Sequence, residues 1–247
     1  MILTYREAIR EGMSIRMRED PRVILFGEDT GAYGGSFGIT LGMYDEFGGD
    51  RVRDTPISES AIIGCAVGSA ATGMRPIAEL VFCDFLTVAM DQIANQAAKM
   101  RYMFGGKISL PMVVRMPAGA GQGGAAQHSQ SLEAWVTHVP GLKVVYPSTP
   151  QDALGLILSA IDDDNPVIYF ENKIIKEKAD ITNFDPIPLG KGNIVREGTD
   201  ISVITYGLQV YDAKKAADIL AKDGISLEII DLRTLYPLDK DMIRSSI

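Results

Sequence analysis

Short apolar runs alternate with segments of helical period along most of the chain. Thr4 and Glu7 have the spacing of a capping box, and apolar residues recur behind them at helical spacing. Strands are predicted at 22–28, 52–55, 76–82, 112–116, 143–146 and 167–171, and further helices at 41–47, 59–73, 84–104, 132–138 and 151–162. Because buried strands that alternate with helices form parallel sheets covered on both faces, the pattern predicts a doubly wound parallel α/β domain. Its ligands are expected at the carboxyl ends of the strands.

The pattern changes near residue 173, where the regular alternation stops. We predict a hairpin-like piece within 173–199, then a strand from Asp200, a helix at 210–222, a strand at 226–232 and a helix near Asp239. The predicted division is a first domain at 1–178, a linker at 179–199 and the start of a C-terminal α/β domain at 200–247. Because about fifty residues with two strands make a poor independent domain, this piece either packs on the first domain or is cut short, and we favour truncation.

Composition and charge exclude several classes of protein. Hydrophobic residues make up 46% of the chain and charged residues 23%, as in ordinary globular proteins. A net charge of −8 argues against nucleic acid or an anionic membrane as a partner. No segment has the roughly 18 unbroken apolar residues of a membrane span, and the charged N-terminus does not resemble a secretory signal. Cys65 and Cys83 lack metal-type spacing, so we expect reduced thiols in a cytoplasmic protein.

The segment Gly119–Gly124, GAGQGG, matches the glycine pattern of a dinucleotide site and follows a predicted strand. Such a site also needs a helix that opens at the last glycine, and an acidic residue about 20 positions later that binds the ribose. Here residues 125–130 delay the helix, and the later segment KVVYPS contains no acid. The sequence therefore argues against a nicotinamide site.

Two loops carry groups with possible chemistry. His128 lies in a polar loop after a strand, where it could transfer protons or bind an anionic substrate, or simply cap the next helix. The turn in AIDDDNPVI, 160–168, is rich in oxygen atoms that could bind a cation, although a solvated acidic turn is the commoner case. Both alternatives remain open for each loop.

Glu59 stands at the start of a helix of small and apolar residues. A carboxylate in the first turn interacts favourably with the positive end of the helix dipole, and this alone could explain its position. The alternative is that Ser58 caps the helix, while a desolvated Glu59 faces a cleft and hydrogen-bonds a ligand nitrogen. The residues alone do not choose between the two interpretations.

Six segments together resemble one known family: GEDTGAYGGSFGIT, DTPISE, RPIAELVFCDF, DQIANQAAKMRYMFGG, AAQHSQSLEAWVTHVPGLKVVYPSTPQDA and DDDNPVIYFEN. In order and spacing they are similar to the beta subunit of the thiamine-diphosphate-dependent, decarboxylating component of 2-oxo acid dehydrogenase complexes. That family includes pyruvate, branched-chain and acetoin dehydrogenases. The resemblance covers almost the whole chain and implies a transketolase-like pyrimidine-binding domain, followed by an incomplete transketolase C-terminal-like α/β domain.

The resemblance implies roles for individual residues. Glu59 would hydrogen-bond a nitrogen of the cofactor's aminopyrimidine ring, and Ile57 and Phe85 would line the pocket of that ring, Phe85 by stacking. His128 would handle substrate and help transfer the acyl group to lipoamide. Glu28 would belong to an acidic path between paired active sites. A structural potassium ion would be bound, mostly by backbone carbonyls, at Met112, Ala160, Ile161, Asp163 and Asn165.

The resemblance also implies partners. Family members hold the diphosphate through magnesium with a GDG motif on a separate alpha subunit, and this chain contains no GDG. We therefore expect an α₂β₂ heterotetramer that passes its acyl group to a lipoyl acyltransferase, and no tight cofactor binding by this chain alone.

The substrate is the least determined feature. The segments RYMFGGK and AAQHSQSLEAW resemble acetoin-type beta subunits somewhat more than pyruvate-type ones. Pyruvate or branched-chain 2-oxo acids are the alternative substrates. A non-catalytic interaction subunit of the same fold is the alternative function, although the presence of Glu59, Phe85 and His128 argues against it.

Overall fold

The computed structural model of the chain describes residues 1–247. The strands are β1 Ile2–Thr4, β2 Val23–Gly27, β3 Val52–Asp54, β4 Arg75–Glu79, β5 Val113–Ala118, β6 Lys143–Val145, β7 Val167–Asn172, β8 Lys178–Asp180, β9 Asn193–Arg196, β10 Ile201–Thr205, β11 Leu227–Asp231 and β12 Thr234–Tyr236. The α-helices are α1 Tyr5–Glu19, α2 Met43–Phe47, α3 Glu59–Ala71, α4 Ala98–Met103, α5 Glu133–Thr137, α6 Pro150–Asp162, α7 Gln209–Leu220 and α8 Lys240–Ser245. None of these helices combines the length and the hydropathy that a bilayer-spanning segment requires.

The main sheet has seven strands in the order β12-β6-β7-β5-β4-β2-β3. Six of them run parallel, which confirms the doubly wound prediction. The exception is β12, which pairs antiparallel with β6 at one edge through Thr234 and Tyr236. This strand was not predicted, because three residues are too few to establish a period of two.

Helices cover both faces of the sheet, and each face has its own apolar core. On one face α1 packs against α6, so closely that a Cβ atom on Gly12 would collide with the side chain of Ile157. The predicted capping box is present at the start of α1. The Thr4 amide donates to Glu7 Oε2 at 2.8 Å, and the Glu7 amide donates to Thr4 Oγ1 at 3.2 Å.

The predicted helix 84–104 is wrong as a single element. The segment consists of a 3₁₀-helix at Cys83–Thr87, a π-helix at Gln92–Ala97 and then α4. Leu86, Ile93 and Ala97 are buried in the core whereas Phe104 is exposed, and apolar spacing does not distinguish between these three helix types. Phe82 precedes the 3₁₀-helix and Phe85 lies within it, in the connection that follows the carboxyl end of β4.

The predicted hairpin within 173–199 is also wrong. Strand β8 pairs antiparallel with β1 at the N-terminus, and β9 pairs antiparallel with β11. Strands β10, β11 and β9 form a separate three-stranded sheet in that order, covered by α7 over a small core of Ala213, Ala217, Leu227 and Ile229. Each strand of the supposed hairpin therefore finds a distant partner that local sequence does not indicate. Both cysteines are free, as predicted.

Candidate active site

The carboxyl ends of the central strands bring three buried charged residues together. Glu79 ends β4, Arg115 lies in β5 and Glu171 lies in β7, and their side chains are at most 2% exposed. Arg115 Nη1 donates to Glu171 Oε1 at 2.5 Å, and its Nη2 donates to Glu79. One guanidinium therefore neutralises only one of two carboxylates, so this cluster is short of positive charge.

Glu28, directly after β2, extends the acidic region toward Glu59. Burial raises the pKa of Glu28, and the negative charges of Glu59, Asp29 and Glu79 raise it further. Its buried Oε1 has no hydrogen-bond partner. Burial also raises the pKa of Glu79 to about 7, because desolvation and the charge of Glu171 outweigh the attraction of Arg115. The site therefore contains carboxylates that a donor from outside the chain could satisfy.

Glu59 is the first residue of α3 and only 8% exposed. The prediction that the Ser58 side chain caps this helix is wrong. Its hydroxyl donates to the Pro56 carbonyl at 3.2 Å instead of binding a helix amide. The carboxylate therefore lies at the positive end of α3 and is also largely desolvated. The dipole alone would not require this burial.

Two aromatic rings contact His128, and a third packs against one of them. The rings of Phe82 and His128 meet edge-to-face with centroids 4.5 Å apart, and those of Phe85 and His128 with centroids 5.5 Å apart. Phe37 packs against Phe82 from the other side at 5.6 Å. The structure thus brings together two residues from the predicted site, His128 and Phe85, from the loops after β5 and β4.

Ile57 lies apart from this enclosed region, on the loop that leads into α3. It is 81% exposed, so the chain itself does not build a closed pocket around it. Other large apolar side chains are exposed on the segment between β4 and β5: Val88, Tyr102, Met103 and Phe104. Exposed apolar surface of this extent is typical of a surface that another protein covers.

The residues predicted to bind potassium lie before β5 and β7, at the amino ends of the strands and so on the side of the sheet opposite the candidate site. Backbone oxygens there already accept hydrogen bonds: those of Ile161 and Asp163 from Arg75 at 2.8 and 3.3 Å, and that of Met112 from Val167 at 2.9 Å. The Asp163 carboxylate accepts from the amide and the side chain of Asn165, both at 2.9 Å. The turn is thus ordered by the chain's own donors, and each carbonyl keeps a second lone pair for a cation.

Two residues of the site were not predicted from the sequence. Lys173 follows directly after β7, and Asp84 lies in the 3₁₀-helix after β4, and both side chains are almost completely buried. A charged residue directly after a strand, where ligands of parallel sheets bind, was the available signal. Lys173 satisfied it, but its partner Asp84 could be recognised only in three dimensions.

Two family descriptions match the sequence of this chain. Residues 2–176 match the family described as "Transketolase, pyrimidine binding domain", and residues 190–247 match "Transketolase, C-terminal domain". This chain belongs to the transketolase-like family. Within it, the chain is a beta subunit of the thiamine-diphosphate-dependent 2-oxo acid and acetoin dehydrogenases, which confirms the resemblance inferred from the six motifs.

Three relatives of the transketolase-like beta subunit support this assignment. The chain is 52% identical to an acetoin:2,6-dichlorophenolindophenol oxidoreductase subunit beta from Cupriavidus necator, over 99% of this chain and 76% of that protein. It is 50% identical to a 2-oxoisovalerate dehydrogenase subunit beta from Bacillus subtilis, with 98% and 75% covered. It is 46% identical to a pyruvate dehydrogenase E1 component subunit beta from Rickettsia bellii, with 100% and 77% covered. These names span three substrates and do not select one.

A solved structure shows the same fold at low identity. A protein described as "Split gene transketolase, inactive beta4 tetramer" superposes with a TM-score of 0.80 at 21% identity, over 99% of this chain and 76% of that one. Since the identity is low, the likeness concerns the fold alone.

The acidic end of the site fits one part of thiamine diphosphate. An aminopyrimidine ring carries an amino group and ring nitrogens, which suit the unpartnered Glu28 oxygen and the carboxylate of Glu59. The diphosphate end needs a divalent cation, and no group of three or more His, Cys, Asp or Glu side chains in this chain could hold a metal ion. These residues therefore fit the aminopyrimidine part of the cofactor.

Proposed function

We propose that this chain is the beta subunit of an acetoin dehydrogenase, active only when paired with an alpha subunit. Two observations carry the proposal: Glu59 is desolvated at the start of α3, and Phe85 and His128 are in ring contact in the loops after β4 and β5. The lean toward acetoin rests on the acetoin-type segments RYMFGGK and AAQHSQSLEAW, and it agrees with the Cupriavidus relative. A branched-chain 2-oxo acid is the second candidate substrate, supported by the similarity to the 2-oxoisovalerate subunit.

Glu59 holds the cofactor in this proposal. When bound, thiamine diphosphate supplies a nucleophilic carbon and an electron sink for cleavage of the bond beside a carbonyl group. The Glu59 carboxyl group would share a proton with a ring nitrogen of the aminopyrimidine, since that nitrogen and a carboxylate oxygen are both acceptors, and burial would strengthen the bond because water does not compete for it. Phe85 stacks on the ring, and Glu28, whose pKa is raised by burial and by the neighbouring negative charges, adds a second acceptor through its unpartnered Oε1.

His128 handles the substrate and the acyl group. Its imidazole is half-buried at the end of the glycine-rich loop, where it can donate a hydrogen bond to a substrate oxygen or transfer a proton to it. The edge-to-face contacts with Phe82 and Phe85 limit the rotation of the ring. A ring held in this way could protonate the sulfur that leaves when the lipoyl disulfide of the acyltransferase partner is opened and its other sulfur takes the acyl group.

The alpha subunit completes the site. It supplies the magnesium ligands for the diphosphate in this proposal, and the α₂β₂ assembly covers Ile57 and the exposed apolar residues between β4 and β5. A potassium ion is proposed at Met112, Ala160, Ile161, Asp163 and Asn165, where it would brace the amino ends of the strands away from the cofactor. Their backbone oxygens retain acceptor capacity for such an ion.

The test is reconstitution with the alpha subunit. Thiamine diphosphate with magnesium should raise the melting temperature of the pair by several degrees and leave that of this chain alone unchanged. Turnover should then be measured with acetoin, pyruvate and 2-oxoisovalerate under identical conditions. Tight binding of the cofactor to the isolated chain would contradict the shared site, and an acetoin rate far below the rates with the two acids would contradict the substrate.

A further inference from the structure

A buried ion pair holds the backbone on either side of Ser129. Lys173 Nζ donates to the His128 carbonyl at 2.7 Å, and Asp84 Oδ1 accepts from the Gln130 amide at 3.1 Å. The two side chains face each other at 3.8 Å between Nζ and Oδ2, and their exposures are 0% and 1%. The cation therefore binds the carbonyl before Ser129, and the anion binds the amide after it.

The same pair is linked to the aromatic rings around His128. Lys173 Nζ lies 4.7 Å from the centroid of the Phe82 ring, which is itself in edge-to-face contact with the imidazole. The Gln130 carbonyl accepts hydrogen bonds from Cys83 Sγ at 3.2 Å and from the Gly119 amide at 3.0 Å. The rest of this loop is exposed and rich in glycine. The contacts around Lys173 and Asp84 are thus what fixes the end of the loop that carries His128.

Burying the charges of Lys173 and Asp84 costs desolvation free energy. Desolvation lowers the pKa of Lys173, and the charge of Asp84 opposes that shift. An apolar pair of similar volume would often pack as stably, so stability alone does not explain two buried charges here. Apolar side chains, however, could not bind a carbonyl and an amide two residues apart.

We propose that Lys173 and Asp84 are positioning residues, which fix the backbone of His128–Gln130 so that the imidazole stays beside Phe82 and Phe85. This inference rests on the proposed role of His128. Loss of the pair moves the imidazole without touching the carboxylate end of the site. The reaction should therefore slow while the affinity for thiamine diphosphate is preserved.

The experiment uses the reconstituted complex with thiamine diphosphate, magnesium and saturating substrate. K173M keeps the length of the side chain but leaves Asp84 unpaired, so the neutral pair K173M/D84N is made as well. K176M is the control, because Lys176 is an exposed lysine only three residues along the chain. For both K173M and K173M/D84N we expect kcat to fall about 10-fold to 100-fold, with the cofactor dissociation constant within twofold of wild type. K176M should match wild type in both.

A double-mutant cycle separates positioning from a general structural effect. If Lys173 acts through His128, then H128A/K173M will be no slower than H128A, whereas independent effects would multiply. Hydrogen exchange followed by mass spectrometry should show faster exchange over 119–131 in K173M/D84N and unchanged exchange over α1.

Three results overturn the inference: K173M/D84N with wild-type kcat, multiplicative losses in the cycle, or unchanged exchange in the loop. Full activity of H128A is a different failure. It would contradict the proposed function of His128 itself.

Discussion

The imidazole of His128 meets the ring of Phe82 edge-to-face, with centroids 4.5 Å apart and ring planes at 78°. Phe82 also lies under Lys173 Nζ at 4.7 Å from the ring centroid and against Phe37 at 5.6 Å. One aromatic ring therefore connects the proposed catalytic imidazole to the buried ion pair. This arrangement makes the role of Phe82 testable.

F82L keeps an apolar side chain at this position but removes the flat ring that His128, Lys173 and Phe37 contact. We expect a loss of about 1 to 2 kcal/mol in unfolding free energy and a fall of roughly tenfold in turnover by the reconstituted enzyme. Stability is measured by denaturant unfolding and turnover with the preferred substrate. Wild-type turnover in a folded F82L enzyme would contradict a role of the ring in holding His128.

The acidic cluster predicts a specific pH dependence of stability. The folded pKa of Glu79, about 7, lies above its ordinary value of 4.5, so the folded chain binds more protons than the unfolded chain between these two pH values. The free energy of unfolding should therefore fall as pH rises through this window and level off above it. The loss due to Glu79 is up to about 3 kcal/mol. E79Q should flatten that part of the profile.

The profile is obtained from urea unfolding of the chain at pH 5, 6, 7 and 8. E197Q is the control, since Glu197 is exposed and should leave the slope unchanged. A slope that is the same in E79Q and wild type would show that Glu79 ionises normally in the folded chain.

Two helical glycines offer a matched test of the packing between α1 and α6. G12A places a methyl group against Ile157, and we expect it to cost about 1 to 3 kcal/mol. G68A adds the same methyl group in α3, where nothing lies within 4 Å, so helix propensity should stabilise the chain by up to about 1 kcal/mol. In thermal unfolding we expect G12A to lower the melting temperature and G68A to raise it. Equal changes in the two variants would contradict the close approach of α1 and α6.

Local patterns predicted most of the main sheet, because its strands are short apolar runs bounded by turns and α6 has Thr149 as its N-cap. They did not predict β8, β9 and β12, whose partners lie far away along the chain. The broken helix at 84–104 shows the same limit, since apolar spacing does not reveal where the helix type changes.

In the candidate site, too, residues with a local sequence signal were predicted and residues that depend on distant contacts were not. Glu59 and His128 stood out in the sequence, because one begins an apolar helix and the other ends a glycine-rich loop. The dependence of the His128 loop on Lys173 and Asp84 did not stand out, because those residues meet only when β4, β5 and β7 lie side by side. The residue roles carried over from the family remain predictions for experiment.

The central claim is that the buried carboxylate of Glu59 binds and activates the cofactor within a site shared with the alpha subunit. E59Q in the reconstituted complex tests it most directly, with E197Q as the control. The account predicts that E59Q assembles and unfolds like wild type, that its turnover falls by at least about 100-fold, and that thiamine diphosphate no longer raises its melting temperature as much. Wild-type turnover together with an unchanged cofactor-induced shift would contradict the account.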